Sequence, residues 1–420
     1  MAIYPTEMLN SPDSDLSPVK KGIDKIINGL TQWKPSTEKK GVIERSKIAI
    51  EGKDDGEVID SMNHLFLKKR WGDGLPLLPP TEERVSRILR GTDLSPDTVI
   101  GKILPRGGIT TVETAAIALA MAGGRPEYMP VLIASIKALV DPKLGHHRWQ
   151  ATSASTFPVV IVNGPISKQV RLNSGFGLMG PDPVHPAGGS IGRAIRLLQQ
   201  NVGGALPGVG TMAQYGASYR YTNAVFAEDE AGLPIGWEPF NTEYLGYPRG
   251  TNSVAVYPAA GAHNLMTGKR LHQMAKFIGV AYKNQIQGPY EEGAPGILIL
   301  SSVIAHQLAD EGWTKANIKK FLWENTRVPM AVLEKTGMMK HFKVLGYEKT
   351  LQDPWPITSK PENFILVVAG GHHPTHTFWM EVCGGPQKVA GAKIELPANW
   401  DSLIKQAEED LGPTAGVQCI

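Results

Sequence analysis

The run Phe157–Val162 (FPVVIV) is short, apolar and rich in β-branched residues, and Asn163-Gly164-Pro165 closes it. That length and composition predict a buried strand. Further along, Ile191, Ala194, Ile195, Leu197 and Leu198 fall on one face at helical spacing, with Arg193 and Arg196 off that stripe. Between the two lies a loop rich in glycine and proline, PDPVHPAGGS. Ser190 is the expected N-cap of the helix. Gly188 and Gly189 would let a ligand come close to the backbone. Free N–H groups at a positive helix end make an anion site. The expected occupant is a carboxylate or small oxyanion, clamped by Arg193. A plain tight turn explains the same glycines equally well.

The same alternation recurs along the chain. Val254–Tyr257, Gly296–Leu300 and Phe364–Ala369 read as further buried strands. Helices are expected near Gly22–Trp33 and over Glu57–Arg70, Glu82–Arg90 (capped by Thr81), Thr111–Gly123 and Pro126–Val140. More follow within Gly261–Tyr282 and over Ser301–Gly312 and Thr314–Asn325. Strands alternating with helices predict an α/β fold: a mostly parallel sheet flanked by helices, with long Gly/Pro-rich loops and a helical N-terminal region. The expected divisions are an arm over 1–50, a helical region over 51–145, an α/β core over 146–400 and a tail over 401–420. No internal repeat is visible. Ligands of such sheets bind beyond the carboxyl ends of the strands. That points to Asn163–Ser190, the loop after Tyr257, Ser301-Ser302 and Gly370–His376.

Composition narrows the function classes. The net charge is +3 over 420 residues, with Lys and Arg spread evenly, so nucleic-acid binding is not expected. No apolar run is long enough to span a membrane, and neither a secretory leader nor a membrane partner is expected. Two cysteines, Cys383 and Cys419, suit a reducing cytoplasm, where both would be free thiols. No nucleotide, nicotinamide or flavin motif is present, and the cofactor is left unassigned.

The candidate chemistry rests on histidines. His146-His147 and His372-His373-x-x-His376 form two clusters, His263 stands after Gly261-Ala262, and His185 lies in the glycine-rich loop. Histidine serves as acid/base near neutral pH and as a metal ligand. His263 and His373 are the expected acid/base pair. The clusters read equally as ordinary loop histidines, because no HExxH or CxxC spacing is present. Cys383 is a candidate nucleophile or a buried, inert thiol. Asp73, in Trp71-Gly72-Asp73-Gly74, is a candidate catalytic carboxylate or a turn residue. Asn163 is a candidate oxyanion donor or a strand-end cap. Gly188, Gly189, Ser190 and Arg193 complete the expected substrate site.

Six segments, WGDGLPLLPPTEERV, MAGGRPEYMPV, FPVVIVNGPI, GRAIRLLQQNVGGA, DEGWTKANIKKFL and ILVVAGGHHPTH, occur in this order. Together they resemble a bacterial family, the UGSC-type (seleno)proteins, over roughly residues 55–380. The resemblance carries no reaction and no residue role. The Sec/Cys-Gly-Ser-Cys tetrapeptide of that family's name is absent here, which removes the direct argument for thiol or selenol chemistry in this chain. The expected function is a soluble enzyme doing lyase- or hydrolase-type acid/base chemistry on a small polar or anionic substrate. Two alternatives stay open: a non-catalytic subunit of a thiol or selenol redox protein, and a His-ligated metal-dependent enzyme. The partners expected are a small-molecule substrate and either further copies of the chain or a small thiol protein.

Overall fold

The computed structural model describes residues 17–32, 47–283, 293–335, 337, 339, 352–382 and 387–412. Cys383 and Cys419 lie outside the described residues. The strands are β1 (Val99–Ile103), β2 (Gly108–Thr111), β3 (Phe157–Asn163), β4 (Ala224–Ala227), β5 (Ser253–Ala259), β6 (Gly261–Leu265), β7 (Gly296–Leu300), β8 (Ile365–Val368), β9 (Thr377–Glu381) and β10 (Ala390–Lys393). The longer helices are α1 (Ser17–Thr31), α2 (Asp55–Lys69), α3 (Glu82–Leu89), α4 (Val112–Met121), α5 (Met129–Leu139), α6 (Pro186–Asn201), α7 (Leu271–Lys283), α8 (Ser302–Asp310), α9 (Lys315–Asn325) and α10 (Trp400–Leu411). Hydroxyl caps set several helix starts. Thr81, Thr111, Ser301 and Thr314 each accept a hydrogen bond from the backbone N–H three residues on.

The fold is mixed α/β, and its sheets are not mostly parallel. Beside the β1–β2 hairpin stand two four-stranded sheets, ordered β10-β5-β3-β4 and β6-β9-β7-β8. In each, one pair is parallel (β3 with β4, β7 with β8) and the other pairings are antiparallel. The two orders match position by position, so the fold repeats a topology that the sequence does not display. The first position of each order is exchanged: β6 follows β5 in the chain but joins the second sheet, and β10 follows β9 but joins the first. Parallel pairs need a long crossover; α6 provides it between β3 and β4, and α8 with α9 between β7 and β8.

The side-chain period of two divides the first sheet between two cores. Val160, Val162, Val225, Val254 and Val256 face the helices α4, α5 and α6. Val159, Ile161, Phe226 and Tyr257 share a core with the second sheet, α7 and α9. Residues 51–145, the expected helical region, supply helices to the first of these cores and contain the β1–β2 hairpin. Most of the expected tail is α10. Trp400 and Leu403 are buried in the same core, and Asp410 Oδ2 lies 2.7 Å from Arg125 Nη2.

His146 opens a short helix, His146–Trp149, and is buried with Nε2 2.9 Å from Gln150 Oε1. Burial pushes its pKa from the ordinary 6.5 down to about 4. Below pH 6.5 the unfolded chain gains a proton that the folded chain refuses. The stability contributed by the neutral ring is present above that pH and is lost as pH falls to about 4. The loss should reach about 3 kcal/mol in urea unfolding. His146→Gln should lose correspondingly less between pH 7 and pH 4. An equal loss in both chains would contradict this assignment.

Candidate anion-binding cleft

Helix α6 begins at Pro186, so Ser190 is its fifth residue rather than its cap. The cap position is His185, which makes no side-chain capping bond. A Cβ on Gly188 would lie 2.5 Å from the Val225 carbonyl oxygen, and one on Gly192 would overlap the Thr222 carbonyl oxygen. These glycines let α6 lie close to β4 and the short helix before it. They admit neighbouring backbone, not a ligand. Gly189 faces Pro181, whose Cβ would be 3.2 Å away.

Arg193 is already paired. Its Nε donates to Asp73 Oδ2 at 2.8 Å and its Nη2 to Asp73 Oδ1 at 3.0 Å, with a further bond to the Pro76 carbonyl at 3.0 Å. The Asp73 carboxylate is thus engaged at both oxygens. The same helix holds the Trp71–Gly74 loop at two more points. Asn201 Oδ1 accepts from Gly72 N at 2.9 Å, and Gln200 Nε2 donates to the Gly72 carbonyl. Gly72 and Gly74 have φ of +90° and +89°, a conformation open to glycine and strained for other residues.

Between this loop, α6 and residues 206–221 lies a cleft of about 640 Å³. Two buried arginines line it, Arg196 from α6 and Arg220 from the short helix Tyr219–Thr222. Arg196 Nη2 donates to Gln200 Oε1 at 3.1 Å, while its Nη1 is shielded from solvent without a hydrogen-bond partner. Among the described residues the Arg220 guanidinium has no partner. Burial, and then the charge of Arg196, pushes the Arg220 pKa down to about 10. Burial also lowers that of Arg196, with Asp73 opposing. Both remain charged at neutral pH. Buried charges are ordinarily paired, and this cleft holds two that a bound anion would pair.

The other expected site residues are dispersed. Asn163 ends β3 and is buried, its Nδ2 donating to Glu228 Oε2 at 2.7 Å and to Glu230 Oε1 at 3.0 Å. An amide so engaged is not a free oxyanion donor. Glu228 is fully buried just beyond β4, its pKa raised by that burial, with Lys315 Nζ 3.8 Å away. His263 lies in β6, not on a strand-end loop, and its Nε2 is 3.2 Å from Glu381 Oε1. Glu381 pairs with Gly296, at the amino end of β7. His373 lies past the carboxyl end, where its carbonyl accepts from Ser301 Oγ at 2.7 Å. His263 pairs with Trp379, which in turn pairs with Leu298, so its backbone lies level with the middle of β7.

The strand-end rule does gather some of the expected segments. Asp229 N donates to Val368 O at 2.8 Å, joining the ends of β4 and β8. Ser302 Oγ lies there 2.6 Å from His372 Nδ1. His373 and His376 each contact Thr375 Oγ1 through Nδ1, at 2.8 and 2.6 Å. Among the described residues, no three His, Cys, Asp or Glu side chains are grouped to hold a metal ion, and no helix is long and apolar enough to cross a membrane.

The sequence marks α6 and the loop at Asp73, and it marks Arg193 rather than Arg196, three residues along, as the candidate clamp; Arg193 is paired with Asp73. Arg220 was missed outright. It sits in Ser-Tyr-Arg-Tyr, where no periodicity or spacing marks it, and only its burial opposite Arg196 gives it meaning. Comparison with protein-family models, with curated proteins and with solved structures finds no match.

Proposed function

We propose that this chain binds a small organic anion in the Arg196–Arg220 cleft, as the substrate of a lyase- or hydrolase-type enzyme. One observation carries the reading: two buried guanidiniums line one cleft, and Asp73, its single acidic residue among those described, is paired with Arg193. A cleft with one sign of charge and low-dielectric walls concentrates ligands of the other sign. Guanidinium groups bind carboxylate and phosphate through paired, charge-assisted hydrogen bonds. Proton transfer on the bound anion would fall to the Tyr215 and Tyr221 phenols and the Ser218 hydroxyl, which line the same space. Neither His263 nor His373 lines it.

Calorimetric titration with small phosphates and carboxylates at low ionic strength tests the reading. Arg196→Gln and Arg220→Gln should each weaken binding by roughly 100-fold, as expected for a lost charged hydrogen bond. Binding that is unchanged in both variants would refute it.

A further inference from the structure

We infer that the ligand of this cleft is an organic dianion carrying an apolar body at least the size of one ring. The inference rests on the anion reading above and names the chemical class of that ligand.

The charge requirement comes from the lining. Arg196 and Arg220 contribute two positive charges, and Arg70 stands on the same wall. Among the described residues Asp73 is the sole carboxylate of the lining, and both of its oxygens are bound to Arg193. A monoanion would satisfy one guanidinium and leave the other buried and uncompensated. Two negative charges on one ligand match both. A phosphate monoester meets this requirement, and so does a pair of carboxylates on one carbon; the chemistry they share is a compact dianionic head.

The body requirement comes from the rest of the cleft. Leu67, Trp71, Leu206, Pro207, Tyr215 and Tyr221 form walls around the two arginines. Tyr215, Tyr221 and Trp71 are 91%, 51% and 40% exposed. Large apolar side chains gathered in the open around a concave site mark a contact surface. A space of about 640 Å³ falls in the range of clefts that enclose whole organic ligands. A bare inorganic ion would fill a small part of it and leave the aromatic rim in water. The head therefore belongs at the arginines and the apolar body along the aromatic wall.

Calorimetric titration of the full wild-type chain with five probes tests this: inorganic phosphate, malonate, benzoate, phenyl phosphate and phenylmalonate. Phenyl phosphate or phenylmalonate should bind at least roughly tenfold tighter than its ring-free counterpart, a modest share of what burying a ring contributes. The same probe should exceed benzoate, which has the ring but one charge, by a similar factor. Tyr221→Ala should narrow the advantage of the ring. Equal affinity with and without the ring would overturn the apolar body. Benzoate binding as tightly as the dianions would overturn the charge count. In either case the anion reading itself stands. Binding of none of the five would overturn both.

Discussion

Gly192→Ala should yield a chain that is grossly destabilised or does not fold. The Cβ that alanine adds would overlap the Thr222 carbonyl oxygen and lie 2.7 Å from the Thr222 carbonyl carbon. The obstacle is backbone, not the end of a flexible side chain. It is also fixed from the other side, because Asn223 Nδ2 donates to the Gly192 carbonyl at 2.9 Å. Helix α6 would have to lift away from residues 222–225, uncovering Ile191, Ala194 and Ile195, all now buried. Overpacking typically costs about 1–3 kcal/mol and occasionally more, and a clash with fixed backbone belongs at the upper end. The consequence reaches the cleft, because Arg196 is one turn beyond Gly192 and Arg220 is two residues before Thr222. Gly180→Ala is the control: its nearest neighbour would be 3.7 Å away, an ordinary contact. It should change stability by less than about 0.5 kcal/mol. Urea unfolding of both variants checks the pair, and a Gly192→Ala chain as stable as Gly180→Ala would show that the close approach is not required.

Arg193→Ala should lower stability by about 3 kcal/mol, the usual cost of removing one partner of a buried ion pair. Asp73 is 3% exposed and Arg193 19%, so the variant leaves a carboxylate stranded away from water. Asp73→Ala should cost less, because the freed guanidinium can turn toward solvent along its long stem. The double variant should be less harmful than the sum of the two singles, as for groups that act on each other directly. If the two single losses added without coupling, the pair would not be the tie that holds the Trp71–Gly74 loop. Arg193→Ala should also weaken anion binding, but through the loop, so adding salt or ligand should not restore its stability to that of the wild type.

The sequence made the central strands legible because they are buried on both faces. Gly296–Leu300 has the bounds expected of it, and Phe157–Asn163 and Ser253–Ala259 extend the expected runs by one and three residues. Among the described residues, six strands escaped: the largely exposed hairpin of β1 and β2, and four strands of the two larger sheets. β4 is only four residues long, and β6 and β10 are edge strands carrying half-exposed or polar residues such as His263, Asn264 and Lys393. β9, with Phe378 and Trp379, lacks the β-branched run that marked the others. Three of these four pair only antiparallel, and missing them made the sheet read as mostly parallel. The site was half legible for a related reason. Helical spacing shows which residues leave the apolar stripe, and so singled out Arg193 and Arg196. It cannot show that Asp73, 120 residues earlier, takes the first, or that Arg220 faces the second across a cleft. Pairings at that separation exist only once the chain has folded.

The most direct test of the anion cleft is equilibrium unfolding of Arg220→Met, with and without inorganic phosphate. Two buried like charges that repel each other, only partly offset by Asp73, are a cost in the empty protein, and replacing one by an apolar side chain of similar length relieves it. The empty variant should be more stable than the empty wild type by roughly 1–3 kcal/mol, as when buried charges give way to well-packed apolar groups. Phosphate should stabilise the wild type by about 2.7 kcal/mol at a hundredfold excess over its Kd, and the variant by no more than about 0.4 kcal/mol at the same concentration. A variant that is less stable than the wild type when empty, and that phosphate stabilises to the same extent, would contradict the account.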